Sequence, residues 1–292
     1  MQEVLKGLRL WNGQPLVQEP HQHVVHTDAS EHALGGHVDG IWVHEEMCLP
    51  EREESSTFRE LLAILMLVRK LRHLYKGRKL LFRTDNQAAY YILTKGGSTK
   101  EHIMVLVRRM YSLLWQARVR WDIEWIPRES NVRADYISKL WDHDDWGISM
   151  ELFEWLDDLW GPHSVDRMAS GENSVLARYN SKFWEEQAEA WDCFTQDWWG
   201  ENNWVHPELA RVLDVILHAK ACGARLTLVV PVWEGEKWWP LLVGGGGEFR
   251  SEVVDWRVLP RGEEHLTPGP NSTLFGHGPL RFDVIALSLH YG

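Results

Sequence analysis

The sequence predicts an α/β chain built on mixed sheets, and three observations carry that expectation. Runs of alternating apolar residues, period two, take turns with runs of helical spacing. The first three strand-like runs follow one another with an Asp39-Gly40 turn between two of them, which marks an antiparallel hairpin. The later strand-like runs are separated by helix-length segments, which marks parallel neighbours with helices on the sheet faces. At 292 residues the chain is long enough for two domains.

In order, residues 1–20 read as a lead-in. A strand is expected near 22–29, and Ala33–Gly40 and the run IWVHEEM give two more. Gly35-Gly36 marks a bulge or a close backbone approach. A long helix is expected from Thr57 to Tyr75, with apolar residues at 61, 62, 65, 68, 71 and 74, and Gly77 ends it. A fourth strand covers 79–84. Helices near 87–94 and 100–117 flank the turn Gly96-Gly97-Ser98. Residues 119–126 (VRWDIEWI) alternate as a fifth strand that Pro127 stops, and a helix spans 131–140.

The acid-rich stretch WDHDDWG and Ile148 (residues 142–148 at its core) read as a linker. The second domain, 149–292, is expected to hold helices near 149–159, 182–189 and 207–221, strands near 163–168 and 225–233, and a closing strand in RFDVIALSLH. Gly244–Gly247 and the Gly/Pro-rich stretch 261–279 read as loops. No internal repeat is visible.

Composition narrows the function. Residues 1–140 carry 20 Lys+Arg against 17 Asp+Glu (net +3), and residues 141–292 carry 11 against 25 (net −14). Only the first part suits a polyanion. Cys48, Cys193 and Cys222 are far apart and lack CxxC spacing, which argues against a zinc site or disulfide scaffold and for a reducing, intracellular setting, cytoplasmic or nuclear. No apolar run reaches ~18 residues, so no membrane span is expected, and the N-terminus has no secretory apolar region. Asn271-Ser272-Thr273 fits a glycosylation sequon, read here as chance.

Four acids stand out by position. Asp28 ends the strand-like HVVHTDAS, Glu60 opens the helix-like TFRELLAILMLVRKL, Asp85 ends KLLFRTDN, and Asp135 starts VRADYISKL. Carboxylates delivered singly by strand ends and helix starts suit a convergent site for two hard divalent cations and phosphodiester hydrolysis. Plainer readings exist for each. Asp28 and Asp85 fit strand-end turns. Glu60, three residues after Thr57, fits a capping box. Asp135 fits a helix N-terminal dipole. The basic run Arg69–Lys79 fits a phosphate-contacting edge or a solvated helix end.

At His26-Thr27-Asp28-Ala29-Ser30, Phe58-Arg59-Glu60-Leu61, Arg83-Thr84-Asp85-Asn86 and Asn131-Val132-Arg133-Ala134-Asp135-Tyr136-Ile137-Ser138 the chain resembles the ribonuclease H domain of retroelement reverse transcriptases, over residues 21–141. The resemblance implies cleavage of the RNA strand of RNA–DNA hybrids with two Mg²⁺ or Mn²⁺ ions held by Asp28, Glu60, Asp85 and Asp135. It implies Asn86, Gln87 and Asn131 as substrate-binding residues, with Asn131 also supporting the last helix. The partners it implies are the hybrid and a reverse transcriptase or other retroelement protein. The loop IPRESN lacks the histidine that some ribonucleases H carry before the last aspartate and holds Arg128 and Glu129 instead. No Tyr-x-Asp-Asp polymerase motif is present. A non-catalytic nucleic-acid-binding or assembly module on the same fold is the rival reading.

The second part resembles the segment that follows ribonuclease H in DIRS-type, tyrosine-recombinase retrotransposons. The resemblance rests on Gly161 to Ser170, Asn173, Arg178-Tyr179, Trp191-Asp192-Cys193-Phe194, Asp197-Trp198, Trp204-Val205-His206-Pro207, Leu228 to Trp233 and Trp238-Trp239-Pro240. That segment looks like a DNA N6-adenine methyltransferase, which implies Asp166 and Asp192 near a cofactor pocket. Trp204-Val205-His206-Pro207-Glu208 stands where the Asn/Asp-Pro-Pro-aromatic loop would accept the flipped adenine. That loop's amide or carboxylate, one proline and the aromatic are missing, which argues against S-adenosylmethionine use and for a degenerate domain. The 18 tryptophans fit core packing or a base-stacking platform.

Overall fold

A computed structural model gives the structure of residues 20–140, 146–262, 264–269, 274–275, 278 and 280–292. Residues 1–19 of the lead-in, the linker residues 141–145 and the sequon fall outside these described residues. Contacts divide the chain into two compact units, Met1–Leu140 and Trp141–Gly292.

In the first unit, β1 (His23–Ala29), β2 (Ala33–Val38), β3 (Ile41–Glu46), β4 (Lys79–Thr84) and β5 (Arg120–Trp125) form one sheet in the order β3-β2-β1-β4-β5. The pairs β1/β2 and β2/β3 are antiparallel, and β1/β4 and β4/β5 are parallel. Asp39 and Gly40 both take positive φ in the hairpin turn, as a type I′ turn requires. A short helix α1 (Leu49–Arg52) precedes α2 (Ser56–Leu71). α2 is buried almost all round from Leu61 to Val68 because β1 and β2 lie on one side and α4 (Glu101–Gln116) on another. The cap of α2 is Ser55, whose hydroxyl accepts from Phe58 N, so the expected start at Thr57 and its capping box are corrected. α3 (Gln87–Lys95) starts at the cap Asn86 and ends at Gly96 in the left-handed region. α5 (Val132–Ser138) lies on β1 and β2. A Cβ on Gly35 would meet Ser138 N at 2.3 Å, so only glycine admits this approach.

The second unit holds β6 (Trp146–Ile148), β7 (Val165–Asp166), β8 (Asn180–Ser181), β9 (Ala190–Trp191), β10 (Asn202–Val205), β11 (Arg225–Pro231), β12 (Val253–Val258), β13 (Leu266–Pro268) and β14 (Val284–His290). Its main sheet runs β12-β14-β11-β10-β7. β7, β10 and β11 are parallel, and β14 is antiparallel between β11 and β12. Leu228 and Val230 join the core under α7 (Val212–Cys222), and Val229 joins the core under α6 (Met150–Trp160). Helices therefore cover both faces, which is why β11 is a continuous apolar run. Trp146, Trp198 and Trp204 are fully buried, so packing accounts for part of the tryptophan content.

Three expectations for this unit change. Residues 146–148, read as the end of the linker, pair with β13 inside the expected loop 261–279. The helix expected near 182–189 is absent. Asn180 lies beside Ala190 in a parallel ladder whose strands are ~4.8 Å apart, whereas an eight-residue helix would hold its ends ~12 Å apart. Side chains of that segment instead reach tertiary partners: Tyr179 Oη donates to Glu185 and Arg178 pairs with Glu189. β12 was not anticipated, although its alternation was present in the sequence. No helix among the described residues is long and apolar enough to cross a membrane.

Candidate metal centre

β1 and β4 run parallel with His26 opposite Arg83. Two residues further on, Asp28 and Asp85 emerge side by side at the same end of the sheet. Asp85 is fixed by its backbone, since Trp125 Nε1 donates to Asp85 O (3.0 Å) and Asn86 N donates to Thr84 Oγ1 (3.1 Å). Glu60 projects from the second turn of α2 into the same space and is only 6% exposed. Ligand oxygens of Asp28, Glu60 and Asp85 all lie within 4.8 Å of one another.

Each of these carboxyls is pushed above its usual range. Glu60 is raised most clearly: burial comes first, then repulsion from Asp28 and Asp85. Asp28 is raised by burial, against the lowering effect of the hydrogen bond that Ser138 Oγ donates to its Oδ2, with further repulsion from Asp85 and Asp135. Asp85 is raised by burial. Glu60 Oε2 is buried without a hydrogen-bond partner. Buried, mutually repelling and partly unpartnered oxygens of this kind are what a bound divalent cation relieves.

The fourth expected ligand, Asp135, stands outside that compact set. Its Oδ1 accepts from Arg128 Nη2 (3.1 Å) and its Oδ2 from Lys139 Nζ (2.7 Å). Burial pushes its carboxyl up, but these two cations outweigh that and hold it below the usual range. Asp135 remains near enough to raise Asp28 and Asp85 electrostatically. Arg128 in turn acts on Asp28, Glu60 and Asp85.

The expected substrate-binding residues divide. Asn86 Oδ1 accepts from Ala89 N (2.9 Å) as the cap of α3. Gln87 is exposed and lines an open depression of about 300 Å³ with Tyr90, Tyr91, Ile123, Glu124 and Trp125. Asn131 is buried, and its Nδ2 donates to Thr27 O (2.9 Å), so it ties α5 to β1. Several cations of the basic run are engaged within the fold, with Arg69 and Lys70 on Glu45, Arg72 on the Arg69 carbonyl and Lys79 on Asp122.

In the second unit, Asp166 is fully buried, accepts from Val175 N, and is pushed up to about 7 by burial. Asp192 is exposed, and its side chain accepts from Phe194 N in a short turn. One is enclosed by the core and the other faces solvent, so they occupy different environments. Sequence reasoning missed Ser138, Lys139 and Trp125; Ser138 was legible only as part of the last motif.

No protein-family model matches the chain, and no curated protein matches it. Solved structures do. Ribonuclease H1 from the halophilic archaeon Halobacterium salinarum NRC-1 matches at 19% identity and TM-score 0.34, over 39% of this chain and 92% of that one. LC11-RNase H1, in complex with RNA/DNA hybrid, matches at 14% and 0.35, over 40% and 93%. The foamy viral protease-reverse transcriptase, also in complex with RNA/DNA hybrid, matches at 9% and 0.30, over 44% and 21%. At these values the likeness transfers no activity and no residue role to this chain.

Proposed function

We infer that the N-terminal unit cleaves the RNA strand of RNA–DNA hybrids by divalent-metal-dependent hydrolysis. The observation that carries this reading is the convergence of Asp28, Glu60 and Asp85 within 4.8 Å, with Glu60 buried and one of its oxygens unpartnered. The donors are all hard carboxylate oxygens, which fit Mg²⁺ or Mn²⁺. When bound, a pair of such ions would supply an activated water and stabilise the departing 3′ oxygen.

The chain's own residues do the rest. Asp28, Glu60 and Asp85 would hold the cations, and Asp135, which pairs with Arg128 and Lys139 in their absence, would complete the set. Arg128 is then free to pair with a phosphate oxygen of the hybrid. Gln87, exposed at the start of α3, reaches the minor groove, and Asn86 sets its direction as the helix cap. A reverse transcriptase or other retroelement protein is the partner the sequence resemblance favours.

The test uses the full chain with labelled hybrid and Mg²⁺ or Mn²⁺, beside Asp85→Asn. Cutting by the wild type and a loss of about a hundredfold or more in the variant supports the reading. Equal cutting by both, or none by either, overturns it. Binding without cutting supports the rival, a non-catalytic nucleic-acid-binding or assembly module. The engagement of Asp135 by two cations is the observation that favours that rival. Adenine methylation by the second unit would need an acceptor loop at Trp204–Glu208; Trp204, Val205, His206 and Pro207 are all buried, and burial holds His206 down at about 4.

A further inference from the structure

Among the described residues β12 is the outer strand of the second unit's sheet and pairs on one side only, with β14. Leu259 N donates to Val284 O (2.8 Å), which sets the ladder's phase. Counting back along an antiparallel ladder, Val258 and Trp256 turn their backbone N–H and C=O away from β14. The side chains agree with this phase. Trp256 N donates to Asp255 Oδ1 (2.8 Å), and Arg257 Nη1 donates to Trp256 O (2.7 Å). Flanking side chains thus hold the outward backbone groups that no strand holds. Val254, Trp256 and Val258 are 53%, 45% and 51% exposed. An edge with this much apolar exposure is a template for strand addition.

The sequence of the edge says which strand fits. Val254-Asp255-Trp256-Arg257-Val258 is self-complementary under a two-fold axis through Trp256. Laid antiparallel on a second copy, Trp256 opposes Trp256, Asp255 opposes Arg257, and Val254 opposes Val258. The Trp256 pair exchanges its two outward backbone hydrogen bonds, in place of those that the Asp255 and Arg257 side chains make to it within one chain. Asp255 and Arg257 then occupy the non-hydrogen-bonded sites, where side chains approach most closely. Asp255 and Arg257, which pair with each other at 2.6 Å within one strand, exchange partners to give two ion pairs across the axis, and each valine meets a valine. The register shift between Val253 and Asp255 puts the bulge at Val254, so regular pairing runs from Asp255 to Val258 and Val254 meets Val258 at its end.

We propose that β12 is a homodimerisation edge: two copies of this chain pair their β12 strands antiparallel about Trp256 and join two five-stranded sheets into one. An interface this short is weak, so dissociation constants on the order of 10 µM are expected.

Sedimentation velocity of the full chain, up to about 100 µM, tests it. The wild type is expected to shift from monomer to dimer. Asp255→Arg places arginine opposite arginine twice and is expected to weaken the dimer at least about tenfold. The exchange Asp255→Arg with Arg257→Asp is expected to restore it. Asp255 also accepts from Trp160 Nε1 (3.0 Å), so Asp255→Arg carries a folding risk. Val258→Lys, at an exposed site, tests the same edge without that contact and is expected to weaken the dimer by a similar factor. A wild type that stays monomeric across the range overturns the proposal. So does a dimer untouched by Val258→Lys, or a folded double exchange that stays monomeric.

Discussion

Replacing Glu60 with glutamine should stabilise the metal-free protein at neutral pH and remove part of its pH dependence. Burial, then Asp28 and Asp85, raise the Glu60 carboxyl well above its usual 4.5. Between that unfolded value and the raised folded one, the folded state holds a proton that the unfolded state has lost. The unfolded state binds fewer protons, so unfolding free energy falls as pH rises through this window, by about 1.4 kcal/mol per pH unit for one group. The contribution is fully retained below the unfolded value and lost as pH climbs toward the folded one. Glutamine keeps the shape and cannot ionise, so in Glu60→Gln this slope disappears. For a unit of this size 1.4 kcal/mol corresponds to roughly 5–6 °C in Tm. The assay is thermal unfolding in EDTA from pH 5 upward, on both proteins, repeated with excess Mn²⁺. In EDTA the variant's advantage should grow with pH. With Mn²⁺ the wild type alone should gain, by about 2.7 kcal/mol at a hundredfold excess over its dissociation constant. Parallel pH curves in EDTA, or equal Mn²⁺ stabilisation of both proteins, would refute the reasoning.

Three further outcomes follow from the same geometry. Gly35→Ala drives a Cβ to 2.3 Å from Ser138 N, so α5 must shift; a stability loss of about 1–3 kcal/mol in denaturant unfolding is expected, with weaker metal binding. Asn131→Ala strands the buried Thr27 carbonyl and should cost about 1–3 kcal/mol while leaving affinity for hybrid unchanged in metal-free anisotropy; a loss of affinity without a loss of stability would place Asn131 in the substrate-binding set. Removing both cations in Arg128→Ala/Lys139→Ala should tighten Mn²⁺ binding by up to about tenfold in titration calorimetry, since exposed ion pairs hold Asp135 only weakly; unchanged or weaker binding would mean Asp135 takes no part.

How much of this was readable in advance depends on the range of the interaction. The five strands and the helices of the first unit were legible because their determinants are local: alternation in VRWDIEWI, the cap Asn86, the left-handed Gly96. The acids were legible as positions, and parallel register then places Asp28 beside Asp85. The pairing of Asp135 with Lys139 was legible as a local i,i+4 pair, whereas the pairing with Arg128 was not, because it depends on the angle at which a short turn meets α5. The segment 182–189 misled for the same reason: its helix-forming residues are overridden by partners such as Tyr179 and Arg178, met only in the folded state. β12 differs from these, since its alternation was in plain view and only the surrounding Gly-rich loops obscured it.

The candidate centre handles close-packed negative charge in three different ways, and the difference bears on what each acid can do. Glu60 is buried and favours its proton. Asp28 is buried but steadied by the Ser138 hydroxyl. Asp135 stays ionised by holding two cations. A divalent ion entering among Asp28, Glu60 and Asp85 competes with protons for carboxyls whose pKa values are raised, so its affinity rises with pH. Recruiting Asp135 imposes a different requirement, the breaking of two ion pairs, whose cost falls as salt rises. The first three acids are thus set up to respond to pH and the fourth to ionic strength. A hybrid phosphate that draws Arg128 to itself would meet the second requirement directly, which ties completion of the centre to arrival of the substrate.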